Sequence, residues 1–330
     1  MNIYAAMSEL TQIQAPIRDD LSRFEKVFRN AIRSPIPLLD KITAYITRTK
    51  GKQMRPMFVL LSAAINGGIN ESSYRAATLI ELLHTATLVH DDVVDDSNER
   101  RGFFSINALW KNKIAVLVGD YLLSRGMLLA LENNDFELLR IVSQAVKAMS
   151  EGELLQIEKA RRLEVEEKVY FEIIEKKTAS LIASCCAVGA ASSGAKPELV
   201  EQMRLFGTYV GIAFQIKDDI FDFEDTRLIG KPTGIDIKER KMTLPLIYLL
   251  NTSTASTRRH IINLVKNHNH EPAKVHEVVE MVRRSGGIDN ATVKMNEYIA
   301  LALKQLDRLP PSQALDSLKL LVDYSIKRNK

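Results

Sequence analysis

The sequence predicts an all-α protein, a single large helical bundle around a central cavity, and three observations carry that prediction. Apolar residues recur at spacings of three and four, as in "FEKVFRNAI", "LLRIVSQAVKAM" and "FEIIEKKTASLIAS", which is the period of a helix rather than a strand. Alternating runs of the strand period are scarce. The breaks between segments consist of helix-ending residues, and they delimit roughly ten or more helices.

In chain order, Pro35 and Pro37 close the N-terminal helices, and Gly67 with Gly68 ends the apolar run that follows "GKQMRP". A long apolar segment leads into "LVHDDVVDDSNERRG", and the next, through "AVLVGDYLLSRGMLLAL", ends at "LENNDFE". "LLRIVSQAVKAM" and "EGELLQ" precede "FEIIEKKTASLIAS", which stops near "SSGAKPE". A further apolar stretch reaches "FQIKDDIFD" before the loop "TRLIGKPTGIDIKERKMTLP", and breaks at "NHNHEPAK", "RSGGID" and "RLPPSQ" separate amphipathic helices beyond it. No Ser/Gly-rich linker or composition shift divides the chain, so residues 1–330 are expected to form one domain.

Bulk properties narrow the function classes. A net charge of +4 from 45 basic and 41 acidic residues gives no global field for nucleic acid, so the local clusters are the informative charges. The two cysteines, Cys185 and Cys186, are adjacent and make no disulfide framework, which fits a reducing compartment. Neither a secretory leader nor an apolar span of membrane length is expected, and the protein is expected to be cytoplasmic.

Two acidic clusters, "HDDVVDD" and "KDDIFDFED", share the pattern Asp-Asp-x-x-Asp at the ends of apolar helical segments. On a helix, residues four apart face the same way, so Asp91 pairs with Asp95 and Asp218 with Asp222. Such carboxylates repel, and a helix C-terminus adds negative charge. An oxygen-ligated divalent cation relieves both, Mg²⁺ with Mn²⁺ as a substitute, and such ions complete their shells with water and substrate phosphate. A single such cluster is more often a solvated helix end; two copies, each after an apolar helix, favour the metal reading. Asp96 and Glu99 belong with the solvated surface.

Cations for phosphate occur nearby. "TKGKQMRP" offers Lys52 and Arg55 beside a glycine, an ammonium and a guanidinium suited to phosphate oxygens. Arg100 and Arg101 follow the first acidic cluster, and on an extended segment they point to opposite sides. His84, two helical turns before Asp91, is balanced between phosphate contact and a core imidazole. His90 fits a structural or supporting role.

Together these residues resemble the all-trans isoprenyl (polyprenyl) diphosphate synthases. "GKQMRP", "HTATLVHDDVVDDSNERRG", "AVLVGDYLLS", "EGELLQ", "IEKKTASL", "FQIKDDIFD" and "GKPTGIDIKERKMTLP" look like that family's successive blocks, in order. The resemblance implies an isoprenoid synthase type fold, usually homodimeric. It implies a prenyltransferase joining isopentenyl diphosphate head-to-tail to an allylic diphosphate by ionisation, condensation and elimination. By the same resemblance Asp91, Asp92, Asp95, Asp218, Asp219 and Asp222 match the ligands of three Mg²⁺ ions. Lys52, Arg55, His84 and Arg101 match the isopentenyl diphosphate pocket, and Arg100, Lys177, Lys231 and Lys241 match contacts to the allylic diphosphate. Lys177, Thr178 and Gln215 stand at the reaction centre. One departure is visible: the family commonly has glycine before the last lysine, where this chain has Arg240.

The growing prenyl tail is expected to run along the helix below Asp91, past Ala86 and Thr87, both small, towards a floor at Leu83 or beyond. That implies a medium to long product, C30–C50, for a quinone side chain; a geranylgeranyl or farnesyl product is the alternative, and small size at Ala86 for close helix packing is the plain reading. A metal phosphohydrolase built on His90 and Asp91 would need more histidines than the first 250 residues hold. A non-catalytic subunit of a two-component synthase would be expected to have lost the aspartates. No transmembrane segment or nucleic-acid partner is expected, although transient membrane contact at product release is allowed.

Overall fold

The computed structural model describes residues 3–48, 51–100, 102–163, 166–224 and 233–327. Regular structure is almost entirely helical. The helices are α1 (Ile3–Gln14), α2 (Arg18–Ala31), α3 (Pro37–Arg48), α4 (Met54–Asn66), α5 (Glu71–Val94), α6 (Ile106–Glu132), α7 (Phe136–Arg162) and α8 (Glu167–Ile174). They continue with α9 (Ser180–Ser192), α10 (Pro197–Phe221), α11 (Ile235–Lys238), α12 (Leu244–Thr252), α13 (Ala255–Asn267), α14 (Pro272–Arg284), α15 (Gly287–Leu306) and α16 (Gln313–Lys327). A π-helical turn, Glu175–Ala179, joins α8 to α9. Among the described residues the one β element is a hairpin, β1 (Glu99–Arg100) antiparallel to β2 (Phe103–Phe104), in the segment read as extended.

The chain forms two compact units of interleaved segments. The first comprises Met1–Val146, Ser184–Arg204 and Leu309–Leu321, and the second Lys147–Ala183, Leu205–Arg308 and Val322–Lys330.

The first unit is built on α5. Asn70 starts that helix with a capping box: its side chain accepts from the amides of Ser72 and Ser73, and the Ser73 hydroxyl accepts from the Asn70 amide. Each cap of this kind stabilises a helix start by about 1 kcal/mol. Tyr74 ties α5 to α2 through a 2.5 Å hydrogen bond to Asp20. α6 runs antiparallel to α5, because the His90 ring lies over Gly119 while Leu79 and Leu82 lie over Gly126. A Cβ at Gly119 would sit 2.1 Å from His90 Nε2, so the glycine is what admits the imidazole. At the far end, Ser317 Oγ of α16 donates to the Gln12 carbonyl of α1 at 3.5 Å.

The expectation of no membrane-length apolar span needs correction, since α6 is long and apolar enough to cross a membrane by length and composition. Only 33% of its most apolar window is buried within the chain. The reason is that α6 is apolar on two sides, one packed on α5 and one facing outward. Its first turn is set off by Lys111, at φ 74 and ψ 157, a backbone region favouring glycine.

In the second unit a core of Phe223, Ile237, Leu246, Leu250, Ile261 and Val278 gathers α11 to α14 around the end of α10. Burying each such side chain stabilises the fold by about 1.5–3 kcal/mol. The π turn is held closely from two sides. A Cβ on Gly152 of α7 would stand 2.7 Å from the Lys177 amide nitrogen, and one on Gly211 of α10 would stand 2.4 Å from the Ala179 Cα. Cys185 and Cys186, which belong to the first unit, are free and buried; burial holds both thiols in the neutral form, Cys186 at a pKa of about 12.

Candidate active site

Within the first unit, the loop entering α4 and the inner face of α5 enclose a cavity of about 170 Å³ that collects Lys52, Arg55 and His84. Gln53, in the left-handed region at φ 54, turns this loop into α4. Arg55 is already oriented, its Nε donating to Glu81 at 2.8 Å with both side chains mostly covered. Phe28, Tyr45 and Phe104 line the same cavity, and the Tyr45 hydroxyl donates to the Phe104 carbonyl at 2.7 Å. Arg101 and Lys231, together with the side chain of Arg100, lie outside the described residues.

The first acidic cluster splits at the end of α5. Asp91 and Asp95 are exposed, whereas Asp92 is 4% exposed and lines the basic cavity. Asp95 is the C-cap, its amide bonded to the Asp91 carbonyl at 2.8 Å, so these two carboxylates share the negative end of the helix. Thr87 lies one turn below Asp91, near the same helical face, its hydroxyl donating to the His84 carbonyl. Ala86 is fully buried, and at 100° per residue it falls between Leu82 and His90, on the face that meets α6.

In the second unit a cavity of about 210 Å³ brings together Lys177, Thr178, Gln215, Asp219 and Lys241 with Gln156, Tyr170 and Asp236. The π turn carries Lys177 and Thr178, and such turns are frequent at functional sites. Lys177 Nζ contacts Glu153 at 2.5 Å and Gln156 at 3.3 Å, which gives the "EGELLQ" segment its place. A line of hydrogen bonds crosses the wall: Thr178 Oγ1 to Gln215 Oε1 at 2.8 Å, Gln215 Nε2 to Asp219 Oδ1 at 2.9 Å, and Tyr170 hydroxyl to Asp219 Oδ2 at 2.7 Å.

The second acidic cluster is also divided. α10 ends at Phe221, so Asp222 leaves the helical face it was expected to share with Asp218. Its carboxylate instead accepts the amides of Ile235 and Asp236, at 2.9 and 3.1 Å, holding the start of α11. Burial and the neighbouring Asp236 raise Asp219 to about 7 and Asp222 to about 6. Burial raises Asp236 too, against the pull of Lys241 at 3.4 Å. Lys241 feels burial in the opposite sense, but Asp236 and Glu239 outweigh it and the amine is held more firmly protonated. Arg240, where glycine was expected, has φ 56, a left-handed conformation that glycine adopts without strain.

Among the described residues, no three carboxylate, imidazole or thiol groups converge to chelate an ion by themselves. The donors nevertheless fit a hard divalent cation whose shell is completed by water and phosphate. Asp91 and Asp95 open to solvent on a negative helix end, and Asp236 is a crowded, desolvated carboxylate. Asp219 and Asp222 have both carboxylate oxygens occupied by protein donors. Sequence reasoning missed Tyr170 and Asp236. The signal for Asp236 lay in the quoted "GIDIKERK"; Tyr170 sits in an apolar helix and gave none.

The basic cavity of the first unit, and the lysines beside the polar wall of the second, are each suited to binding phosphate groups. The chain belongs to the polyprenyl synthetase family, whose model matches residues 36–282, and it is a prenyltransferase with the all-α isoprenoid synthase fold. It is 35% identical over 314 residues to heptaprenyl diphosphate synthase component 2 of Bacillus subtilis (strain 168), covering 94% of this chain and 89% of that protein. The crystal structure of a polyprenyl synthase from Caulobacter crescentus CB15, complexed with calcium and isoprenyl diphosphate, superposes with a TM-score of 0.88 at 30% identity, covering 97% and 98% of the two chains. A geranylgeranyl pyrophosphate synthase from Bacteroides thetaiotaomicron gives 0.83 at 38% identity, covering 97% and 100%.

Proposed function

We propose that this prenyltransferase extends an allylic diphosphate with isopentenyl diphosphate to an all-trans product of C30–C50, destined for a quinone side chain. The observation that carries the length is on α5: no Phe, Tyr or Trp occurs from Arg75 to His90, so α5 itself supplies no aromatic side chain in the four turns below Asp91. The heptaprenyl relative supports this reading. The 38% identity to a geranylgeranyl synthase favours a shorter product as the second one.

In this scheme Lys52, Arg55 and His84 hold the diphosphate of isopentenyl diphosphate, with Glu81 keeping the guanidinium aimed. Lys177 and Lys241 take the allylic diphosphate, whose departure leaves a delocalised cation. The Gln215 and Thr178 oxygens face that cation. The departed diphosphate is the strong base nearest the proton to be lost, so no protein nucleophile is needed. In the first unit Asp91 and Asp95, and in the second Asp218 and Asp236, are the carboxylates that would hold Mg²⁺, which would neutralise charge on a leaving diphosphate. Asp92, Asp219 and Asp222 support the site from buried or hydrogen-bonded positions. The family match spans residues of both units, which supports a single catalytic domain.

Homodimerisation is part of the proposal. Val116, Leu117, Met127, Leu128 and Leu131 are exposed on α6 within about 120° of its circumference, an apolar stripe that a second copy would cover. The buried free thiols are in keeping with a cytoplasmic location.

The test is to incubate the purified protein with Mg²⁺, isopentenyl diphosphate and several allylic primers, and to size the products by mass spectrometry. Products of C30 or longer are expected, and Ala86→Phe should shorten them. A wild-type ladder ending at C20 overturns the long-chain reading, and an inert chain favours a subunit that needs a partner.

A further inference from the structure

The wall of the second unit's cavity holds a buried tyrosine to which the scheme above gives no task. Tyr170 is 5% exposed. Its ring is fixed by an edge contact with Phe171 at 5.3 Å and 73°, and its hydroxyl ends on Asp219 Oδ2 at 2.7 Å. Asp219, 4% exposed, receives Gln215 Nε2 on its other oxygen at 2.9 Å.

Gln215 Nε2 donates to Asp219 Oδ1 and the Tyr170 hydroxyl donates to Oδ2, and because an amide nitrogen cannot accept, Oδ1 is the acceptor whether or not Asp219 carries its proton. That decides the orientation of Gln215. Its NH₂ is committed to Asp219, which turns its carbonyl to Thr178, and the Thr178 hydroxyl must donate to that carbonyl. The lone pairs left on Gln215 Oε1 and Thr178 Oγ1 are acceptors, the polarity an allylic cation requires. A flipped amide would instead turn its hydrogens toward the developing positive charge.

From this geometry we infer that Tyr170 is a positioning residue for prenyl transfer: through Asp219 it fixes the amide of Gln215 so that oxygen, not NH₂, is presented to the reacting allyl group. The inference rests on the prenyl transfer reading and names a residue outside the substrate contacts. Tyr170 lies in α8, one helical turn before the π turn, and Thr178 is carried on that turn, so one short segment supplies both ends of the line. Removing the hydroxyl frees Asp219 Oδ2 to rotate and loosens the hold on Gln215. It changes no group that touches a phosphate.

The experiment is steady-state kinetics with isopentenyl diphosphate, an allylic diphosphate and Mg²⁺ on wild type, Tyr170→Phe, Thr178→Ala and the double variant. Tyr170→Phe keeps the ring, and kcat should fall about tenfold, the size of one hydrogen bond to a charged group. Both KM values and the Mg²⁺ half-saturation point should stay within about twofold, because the interaction acts on the developing cation and not on bound substrate. The double variant should be no slower than Thr178→Ala alone, as expected for two residues on one line. An unchanged kcat, a loss carried by KM or by Mg²⁺ demand, or effects that multiply in the double variant would each overturn the inference. Should Tyr170→Phe fail to fold, Asp219→Asn is to show the same kcat loss and the same lack of additivity, and full additivity there is equally fatal. A wild type inert toward prenyl diphosphates removes the underlying reading; an active wild type matched by Tyr170→Phe removes only the role given to Tyr170.

Discussion

Asp219 is a carboxylate that the protein both buries and surrounds with donors, and the balance leaves it near a pKa of about 7 against an ordinary 3.8. The native state therefore keeps a proton that the unfolded chain has already released between about pH 4 and pH 7. With more protons bound in the native state, stability falls as pH rises through that window and regains nothing above it. Without divalent cations, urea midpoints should be higher at pH 5 than at pH 7.5 as far as this group contributes, and Asp219→Asn should flatten the slope. Identical slopes in the two proteins would show that other groups control it. At the same scale, φ 56 at Arg240 is a conformation that glycine adopts without strain, so the glycine implied by the family resemblance has a physical reason.

At the scale of the element, the π turn Glu175–Ala179 fixes where Lys177 and Thr178 point. Ser180 donates back to the Glu175 carbonyl across five residues, so one extra residue shifts the helical phase just before α9. Gly152→Ala should therefore lower kcat and destabilise the fold by about 1–3 kcal/mol, read together by kinetics and thermal melts; a fully active, equally stable variant would show that α7 yields easily. The helices and the acidic clusters were legible because apolar period and charge spacing are local. The π turn was not, since "IEKKTAS" reads as ordinary helix and the bulge depends on Gly152 and Gly211, distant in sequence. Asp222 was read onto a helical face because nothing beside it announces that α10 stops at Phe221; its partners, Ile235 and Asp236, lie beyond the next loop.

For the whole molecule, the outward stripe of α6 is an apolar surface that the described residues leave exposed. Leu117 is 55% exposed, and a glutamate there would place charge in any interface that covers it. Leu117→Glu should shift the protein from dimer to monomer in sedimentation velocity; a wild type that already sediments as a monomer, or a variant that stays dimeric, rules out this stripe. The family resemblance, not the residues alone, grouped Lys52 and Arg55 with His84, and all three line one cavity. The segments of the two compact units interleave along the chain.

That interleaving bears on how the protein is made. Six segments alternate between the units, so the chain passes from one to the other five times, and the first unit includes Leu309–Leu321. Neither half can be finished on the ribosome while the C-terminal helices are still missing, although domains of contiguous sequence fold as they emerge. A nascent chain must keep α5 and its apolar neighbours from aggregating until Leu309–Leu321 has emerged, and neither unit is a contiguous stretch of sequence.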